Sequence, residues 1–383
     1  MMHTSIDVSA ADFAQEEYIH TLRHGAIPSE KALRAILSIP YREKALVDQV
    51  RYRAMEVMER EVGNLVYYRG IVEFSNICTQ NCRYCGIRRS NTHVSSRYLL
   101  DEEEIVESAL WCAERGYGSV VLQSGERRDE AFIELVERIV KTIKERSRST
   151  ELPDGVGITL SVGEQTLETY RRFYNAGAHR YLLRIETSNP ELFSAIHPPE
   201  QRFETRLQAL HDLRKAGFQV GTGVMIGIPG QSIDMLARDI LFFREIDVDM
   251  IGMGPYITHP DTPMAVQGMM EKEALLHLSL LMIAATRLAL PDANIAATTA
   301  LQALVPDGRE RGLRFGANVT MPNITPLRVR EAYRLYENKP CMNERKEACE
   351  ACLAGRIAST GRSVGLNAWG DSPRFFKRKF PRE

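Results

Sequence analysis

The chain has 383 residues, 44% of them hydrophobic and 26% charged, with a formal net charge of -1. That balance describes a globular protein with a sizeable core and excludes nucleic-acid binding through a broad basic surface. No run of 18 apolar residues occurs, and residues 1–7 lack the basic and apolar parts of a leader, so a cytoplasmic protein without a membrane span is expected.

Residues 12–62 read as helices, with Pro28 and Pro40 as breaks or first-turn positions. They form an N-terminal helical extension (1–64) expected to cover the bottom or side of the downstream domain. From about 70 to 338 strand-like and helix-like segments alternate. The strands are predicted at 70–75, 119–124, 157–162, 180–186, 219–228, 250–256, 294–299 and 318–321. Amphipathic helices fall between them, for example at 101–115, 130–145, 167–176, 203–216 and 233–245. Acidic or hydroxyl residues open several, and Gly116, Gly177 and Gly217 come after three as stops. Eight strand–helix units predict an α/β fold, a (β/α)8 TIM barrel over 65–338, with a six-unit open barrel as the fallback. Residues 339–383 form a C-terminal segment. Its last part, 354–383, carries seven Arg or Lys against two acidic residues and is expected to be solvated and mobile. No heptad or broad apolar stripe stands out, so a monomer is expected.

Six of the seven cysteines fall in two tight sets. Cys112, inside a helical pattern, reads as a small buried apolar residue. The first set, Cys78-Thr-Gln-Asn-Cys82-Arg-Tyr-Cys85, has C-x3-C-x2-C spacing. Three thiolates can hold three irons of a [4Fe–4S] cube and leave the fourth open to a ligand, whereas a four-cysteine site is closed. Structural zinc usually takes four ligands in two separated pairs, which this spacing lacks. The second set is Cys341, Cys349 and Cys352. A [2Fe–2S] or [4Fe–4S] cluster, a surface zinc site and unoccupied thiols all remain open for it.

In a (β/α)8 barrel the chemistry lies at the C-terminal strand ends, and Cys78 comes directly after the first predicted strand. On the fourth strand Arg180, Arg184 and Glu186 share one face, and Tyr181, Leu183 and Ile185 the other. The apolar face packs on helices, so the charged face points inward, where charges need partners or guests. Thr159 and Ser161 alternate with Ile158, Leu160 and Val162 on the third strand, and the seventh ends in Thr298 and Thr299. The upper interior is therefore expected to be a polar cavity, and the alternative is a self-satisfied Arg–Glu network. Two turns add to it. Gln123, Ser124, Gly125 and Glu126 end the second strand and could grip an amino-acid moiety. Gly227 to Gln231 end the fifth and could offer backbone edges to a flat base.

Together these features resemble the radical S-adenosylmethionine superfamily, and over residues 65–352 the chain is similar to the [FeFe]-hydrogenase maturases of the HydE type. The matching stretches are Val72 to Asn76 into the cysteine loop, then 86–89, 122–126, 159–164, 177–187, 227–231, 254–263, 297–300 and 316–322. The resemblance implies that S-adenosylmethionine chelates the unique iron of a cluster on Cys78, Cys82 and Cys85, and that one electron splits it to a 5′-deoxyadenosyl radical. It implies cofactor contacts from Tyr84, Gln123, Gly125, Glu126, Ser161, Arg184, Glu186, Arg206 and Gly227. The substrate implied is a small organometallic iron complex of cysteine, carbonyl and cyanide, made by a partner lyase. Ser124, Thr159, Arg180, Thr298, Thr299, Met321 and Tyr336 stand at the matching pocket positions. A guanidinium and hydroxyls suit carboxylate and cyanide acceptors.

The implied partners are an electron donor such as ferredoxin or flavodoxin and other hydrogenase maturases. Cys341, Cys349 and Cys352 resemble an auxiliary cluster site found in some members. The chain departs from the pattern at Arg127-Arg128, where Asp-Pro is favoured, at Ile185, where His is common, and at His197, where Arg is frequent. Biotin synthase-like or methylornithine synthase-like chemistry is the nearest alternative, and a non-catalytic iron–sulfur protein a more distant one.

Overall fold

A computed structural model describes residues 26–380, apart from the side chains of 347–351. In chain order the strands are β1 (Leu65–Tyr68), β2 (Gly70–Ser75), β3 (Ser119–Ser124), β4 (Gly157–Ser161), β5 (Arg180–Leu182) and β6 (Gln219–Thr222). They continue as β7 (Met225–Ile226), β8 (Met250–Ile251), β9 (Gly254–Pro255), β10 (Asn294–Ile295), β11 (Val319–Thr320) and β12 (Ser363–Val364). Strands β2, β3, β4, β5, β6, β8 and β10 form one parallel sheet in that order. Two parallel bridges, Ala296 to Val319 and Ile71 to Asn323, bring β11 between its edges and close an eight-stranded barrel. The eight predicted strands are the eight staves.

Local chemistry sets the helices between them. The helix Glu102–Glu114 begins with a capping box in which Asp101 and Glu104 satisfy each other's backbone donors. Asp129, Thr166, Asn189 and Ser232 cap the helices after them with side-chain oxygens. Gly177 ends one helix in the left-handed region at φ 116°. Upstream, Glu30–Leu37 and Lys44–Val62 pack on the long helix Lys272–Ala289, so the described part of the N-terminal extension covers the barrel's side. Residues 1–25 of that predicted extension lie outside the described residues. Cys112 is fully buried in the core, as expected. No helix among the described residues is long and apolar enough to cross a membrane.

The tail departs from expectation. Instead of lying in solvent, residues 363–379 cross the N-terminal ends of the strands and form the barrel's floor. Ser119, the first residue of β3, donates to the Trp369 carbonyl at 2.8 Å, and Asn294 of β10 donates to the Gly370 carbonyl at 2.8 Å. Arg180 ion-pairs with Asp371 at 2.6 Å and donates to the Trp369 carbonyl and to Ser119. The tail's basic residues find acids on the barrel: Arg378 meets Asp249 at 2.7 Å and Arg374 meets Asp292 at 3.1 Å. A composition that looks solvated is here a set of ion-pairing partners for carboxylates at the strand entrances.

Asp371 is drawn upward by burial, but the Arg180 and His179 partners hold it well below the usual carboxylate range. Its stabilising share is therefore present above the unfolded value near 3.9 and is lost as pH falls below it. Replacing Asp371→Asn leaves the wholly buried Arg180 uncompensated. We expect a loss of about 3 kcal/mol in denaturant unfolding at neutral pH, shrinking in acid.

Candidate functional site

The cysteine loop leaves the barrel at the top of β2 and is fastened on both sides. Asn76 donates to the carbonyls of Ser96 and Ala332, both at 2.7 Å. Arg97 directs its guanidinium to the carbonyls of Asn76, Ile87, Arg88 and Asn91, which ties the loop's return to its start. Gly125, after β3, donates to the Ser75 carbonyl at 2.8 Å. A Cβ at Gly125 would overlap the Ile77 carbonyl and crowd Cys78. This glycine is required by close approach of two backbones. Glu126 completes the joint: its carbonyl accepts from the Thr79 N–H at 2.9 Å and its carboxylate from Gln80 at 2.6 Å.

The Cys78 sulfur accepts from the N–H groups of Gln80 and Glu126, each at 3.4 Å. The Cys82 thiol donates to the Gln201 side-chain oxygen at 3.4 Å. Burial pushes the Cys85 thiol up to about 12, with Cys78 adding to it, and raises Cys82 with contributions from both neighbours. The three sulfurs therefore share one region, and holding them as thiolates needs a compensating positive centre. Among the described residues no three His, Cys, Asp or Glu side chains close around a single ion. Three thiols around a cube stand farther apart than the ligands of one ion. The N–H donors aimed at Cys78 are the kind that tune iron–sulfur sites. The set fits an iron–sulfur cluster.

From Glu126 a ladder of charge crosses the mouth. Arg128 bridges Glu126 at 2.8 Å and Glu164 at 3.0 Å. Glu164 pairs with the buried Arg206 at 2.5 Å, and Arg206 also donates to the Arg184 carbonyl. Burial opposes the charge on Arg206, but Glu164 and Glu126 outweigh it and raise its proton affinity. Arg184 reaches Glu186 at 3.0 Å. Burial raises Glu186 despite Arg184 and Arg206. Arg184 Nε is buried with no hydrogen-bond partner, while Glu186 Oε2 has the Arg184 guanidinium as its ion-pair partner. Glu186 also has φ 66°, a left-handed conformation that a glutamate adopts at a cost. Strained backbone, a buried carboxylate and an orphaned guanidinium N–H at a strand end fit the amino, carboxylate and hydroxyl groups of a polar cofactor such as S-adenosylmethionine.

Tyr84 lies 3.2 Å from His197 Nε2. His197 Nδ1 donates to the Phe193 carbonyl at 2.9 Å, and burial pushes this imidazole down to about 3. His197 is thus neutral and accepts from the Tyr84 hydroxyl. The loop after Glu186 is held by the buried Asp239, which accepts from the Ser188 N–H and hydroxyl at 2.6 Å each.

The predicted site residues separate by depth. Thr159 and Met321 line a small cavity of about 30 Å3 within the barrel, with Leu182, Met250, Arg69 and Asn294. Thr298 donates to the Met253 carbonyl at 3.2 Å, and Tyr336 to Thr299 at 3.3 Å, nearer the mouth. Gln123 and Ser161 pair across β3 and β4, Gln123 also bonds the Tyr333 side chain, and Ser124 donates to the Gly125 carbonyl. Gly227 has φ 80°, and its N–H is taken by Gln231 at 2.8 Å, so only its carbonyl remains for a guest. Arg180 does point inward, but it sits on the floor and not at the mouth. Six residues separate it from Glu186, at most about 20 Å of chain. The fourth predicted strand also leaves the ladder after Leu182, and the fifth divides at Gly223, where a Cβ would overlap the Gly252 carbonyl.

In the second set Cys341 is buried at φ 63°, 3.7 Å from Arg309, and Cys352 is exposed on the helix Lys346–Ala358. The side chain of Cys349 lies outside the described residues. Just before them Lys339 forms a buried pair with Glu73 at 2.5 Å and ties this segment to the top of β2. Sequence reasoning missed Glu164, Arg128, Gln80, Gln201 and Asp239. A glutamate at the end of an otherwise apolar and hydroxyl strand was a usable signal for Glu164. The others carry none.

Residues 72–243 match the radical SAM superfamily. The chain is 46% identical over 325 residues to the [FeFe] hydrogenase maturase subunit HydE of Thermotoga maritima, covering 85% of this chain and 88% of that protein. The crystal structure of methylornithine synthase PylB shares the fold at a TM-score of 0.76 and 24% identity, covering 92% and 98% of the two chains. The maturase HydG of Carboxydothermus hydrogenoformans does so at 0.75 and 20%, covering 95% and 86%.

The chain belongs to the radical SAM superfamily and, within it, to the family of the hydrogenase maturase subunit HydE. It is a radical S-adenosylmethionine enzyme with a [4Fe–4S] cluster and S-adenosylmethionine as its cofactors.

Two outcomes are expected from this geometry. Gly125→Ala forces the β3 turn away from Cys78 at about 1–3 kcal/mol of overpacking. Iron bound per chain after anaerobic reconstitution should fall while helical content is kept. Asp239, pushed up to about 7 by burial, makes the fold less stable as pH rises from about 4 to 7, because the unfolded chain releases that proton first. Asp239→Asn should flatten that slope in denaturant titrations at stepped pH and raise stability at pH values above it.

Proposed function

We propose that this enzyme acts on a small cysteine-ligated iron carbonyl and cyanide complex during assembly of an [FeFe]-hydrogenase active site. The observation that carries the reading is the 46% identity to HydE across 85% of the chain. When bound, the cluster and S-adenosylmethionine supply a reductive cleavage that yields a 5′-deoxyadenosyl radical. The positions of the chain's own residues support the following roles. Cys78, Cys82 and Cys85 hold the cluster, and Gly125 and Glu126 clamp their loop to β3. Glu186, Arg184 and Arg206, with Tyr84, Gln123, Ser161 and the Gly227 carbonyl, take the polar groups of the cofactor. Arg184 Nε, buried without a hydrogen-bond partner, supports this assignment.

Ser124, Thr298, Thr299 and Tyr336 would receive the substrate's acceptor groups near the mouth, with Thr159 and Met321 deeper. Arg180 acts on Thr159 through a 3.0 Å bond from below and does not meet the substrate itself. Cys341, Cys349 and Cys352 would hold an auxiliary cluster dispensable for radical formation. Reduced thiols and an oxygen-sensitive cluster suit a cytoplasmic setting, with other maturases supplying the substrate and taking the product.

The reading is tested by giving the reconstituted, reduced enzyme the partner lyase's iron product. Formation of 5′-deoxyadenosine coupled to activation of apo-hydrogenase is expected, and Cys82→Ala should abolish both. Cofactor cleavage that never activates the hydrogenase would exclude this substrate.

A further inference from the structure

The chain as a whole balances 49 basic against 50 acidic side chains. Residues 83–100 do not: they contain Arg83, Arg88, Arg89 and Arg97 and no carboxylate. Arg83, Arg89 and Arg97 are exposed and Arg88 is partly so. Arg97 bonds only backbone carbonyls, and Arg83 and Arg88 donate to the carbonyls of Ala195 and Asn81, so none of these charges is neutralised by its partner. Arg89 has only Glu200 at 3.9 Å, with both side chains mostly exposed, a pair worth little in water. Asp261, beside this loop, is engaged by His93 at 2.7 Å. The run lies against the cysteine loop. Arg83 adjoins Cys82 and Arg88 lies three residues beyond Cys85, which puts their Cα atoms within about 11 Å of a ligand's. The positive field of Arg97 reaches Cys78 and Cys85.

We infer that this arginine-bearing loop is the docking face for an acidic one-electron carrier protein. The inference rests on the radical reading, in which each cleavage consumes one electron from outside. In the docked complex one electron leaves the reduced carrier and enters the cluster. The carrier is oxidised, the cluster is reduced, and no bond or proton changes hands. Opposite charge on the two faces raises the encounter rate and orients the carrier's redox centre toward the loop. A nucleic acid would need a wider basic surface than one loop on a chain of net charge -1.

The test measures 5′-deoxyadenosine formation by the reconstituted holoenzyme, driven in parallel by dithionite and by a reduced acidic ferredoxin at low and high salt. Arg83→Glu with Arg89→Glu should cut the ferredoxin-driven rate about tenfold or more and leave the dithionite-driven rate and iron content unchanged. Arg83→Gln with Arg89→Gln should fall between. High salt should slow only the ferredoxin-driven reaction of the unsubstituted enzyme. A ferredoxin-driven rate indifferent to both charge reversal and salt overturns the docking face. If dithionite also yields no cleavage in the unsubstituted enzyme, the radical reading fails and takes the inference with it.

Discussion

The close approach of two strand ends governs this molecule. Gly125 lets the turn after β3 lie on the Ile77 and Cys78 backbone, and Glu126 binds the loop by carbonyl, carboxylate and N–H together. A loop of three thiols on a flexible tether could offer its sulfurs in many geometries. Fastened to a barrel stave, it offers one. The same Glu126 is the first rung of the ladder through Arg128, Glu164 and Arg206. Loop position and cofactor electrostatics are therefore set by one residue.

That ladder is costly to bury and is retained. Arg206 and Glu164 lie inside the protein, and removing Glu164 would take from Arg206 its one close carboxylate among the described residues. Arg206 holds the Arg184 carbonyl, Arg184 reaches Glu186, and Asp239 pins the next turn. The result is a strained Glu186 whose carboxylate faces the region of the thiols. A preformed polar site of this kind completes its reorganisation during folding and not during turnover.

The barrel was legible because its signals are local. Caps such as Asp101 with Glu104, stops such as Gly177, and short apolar runs each act within a few residues. Alternation also assigned Arg180 to the inward face, where it bonds Thr159. It could not assign depth, since a period of two carries no information about height along a stave, and Arg180 lies at the opposite end from the one expected. The tail defies its composition for a related reason. Arg374 and Arg378 look like solvated charges until Asp292 and Asp249, more than eighty residues away in sequence, are brought beside them. Gly125 and Gly227 resemble grips for a ligand in sequence, but one serves backbone approach and the other has its N–H claimed by Gln231.

The floor has a consequence for how the molecule comes into being. Arg180 and Asp371 are 191 positions apart, so a nascent chain leaving the ribosome exposes the arginine long before its counter-ion is synthesised. Until the strap arrives, sealing the barrel would bury a bare cation, and the staves have reason to stay ajar. Vectorial synthesis thereby sets an order of events, in which the vessel is shut from beneath last.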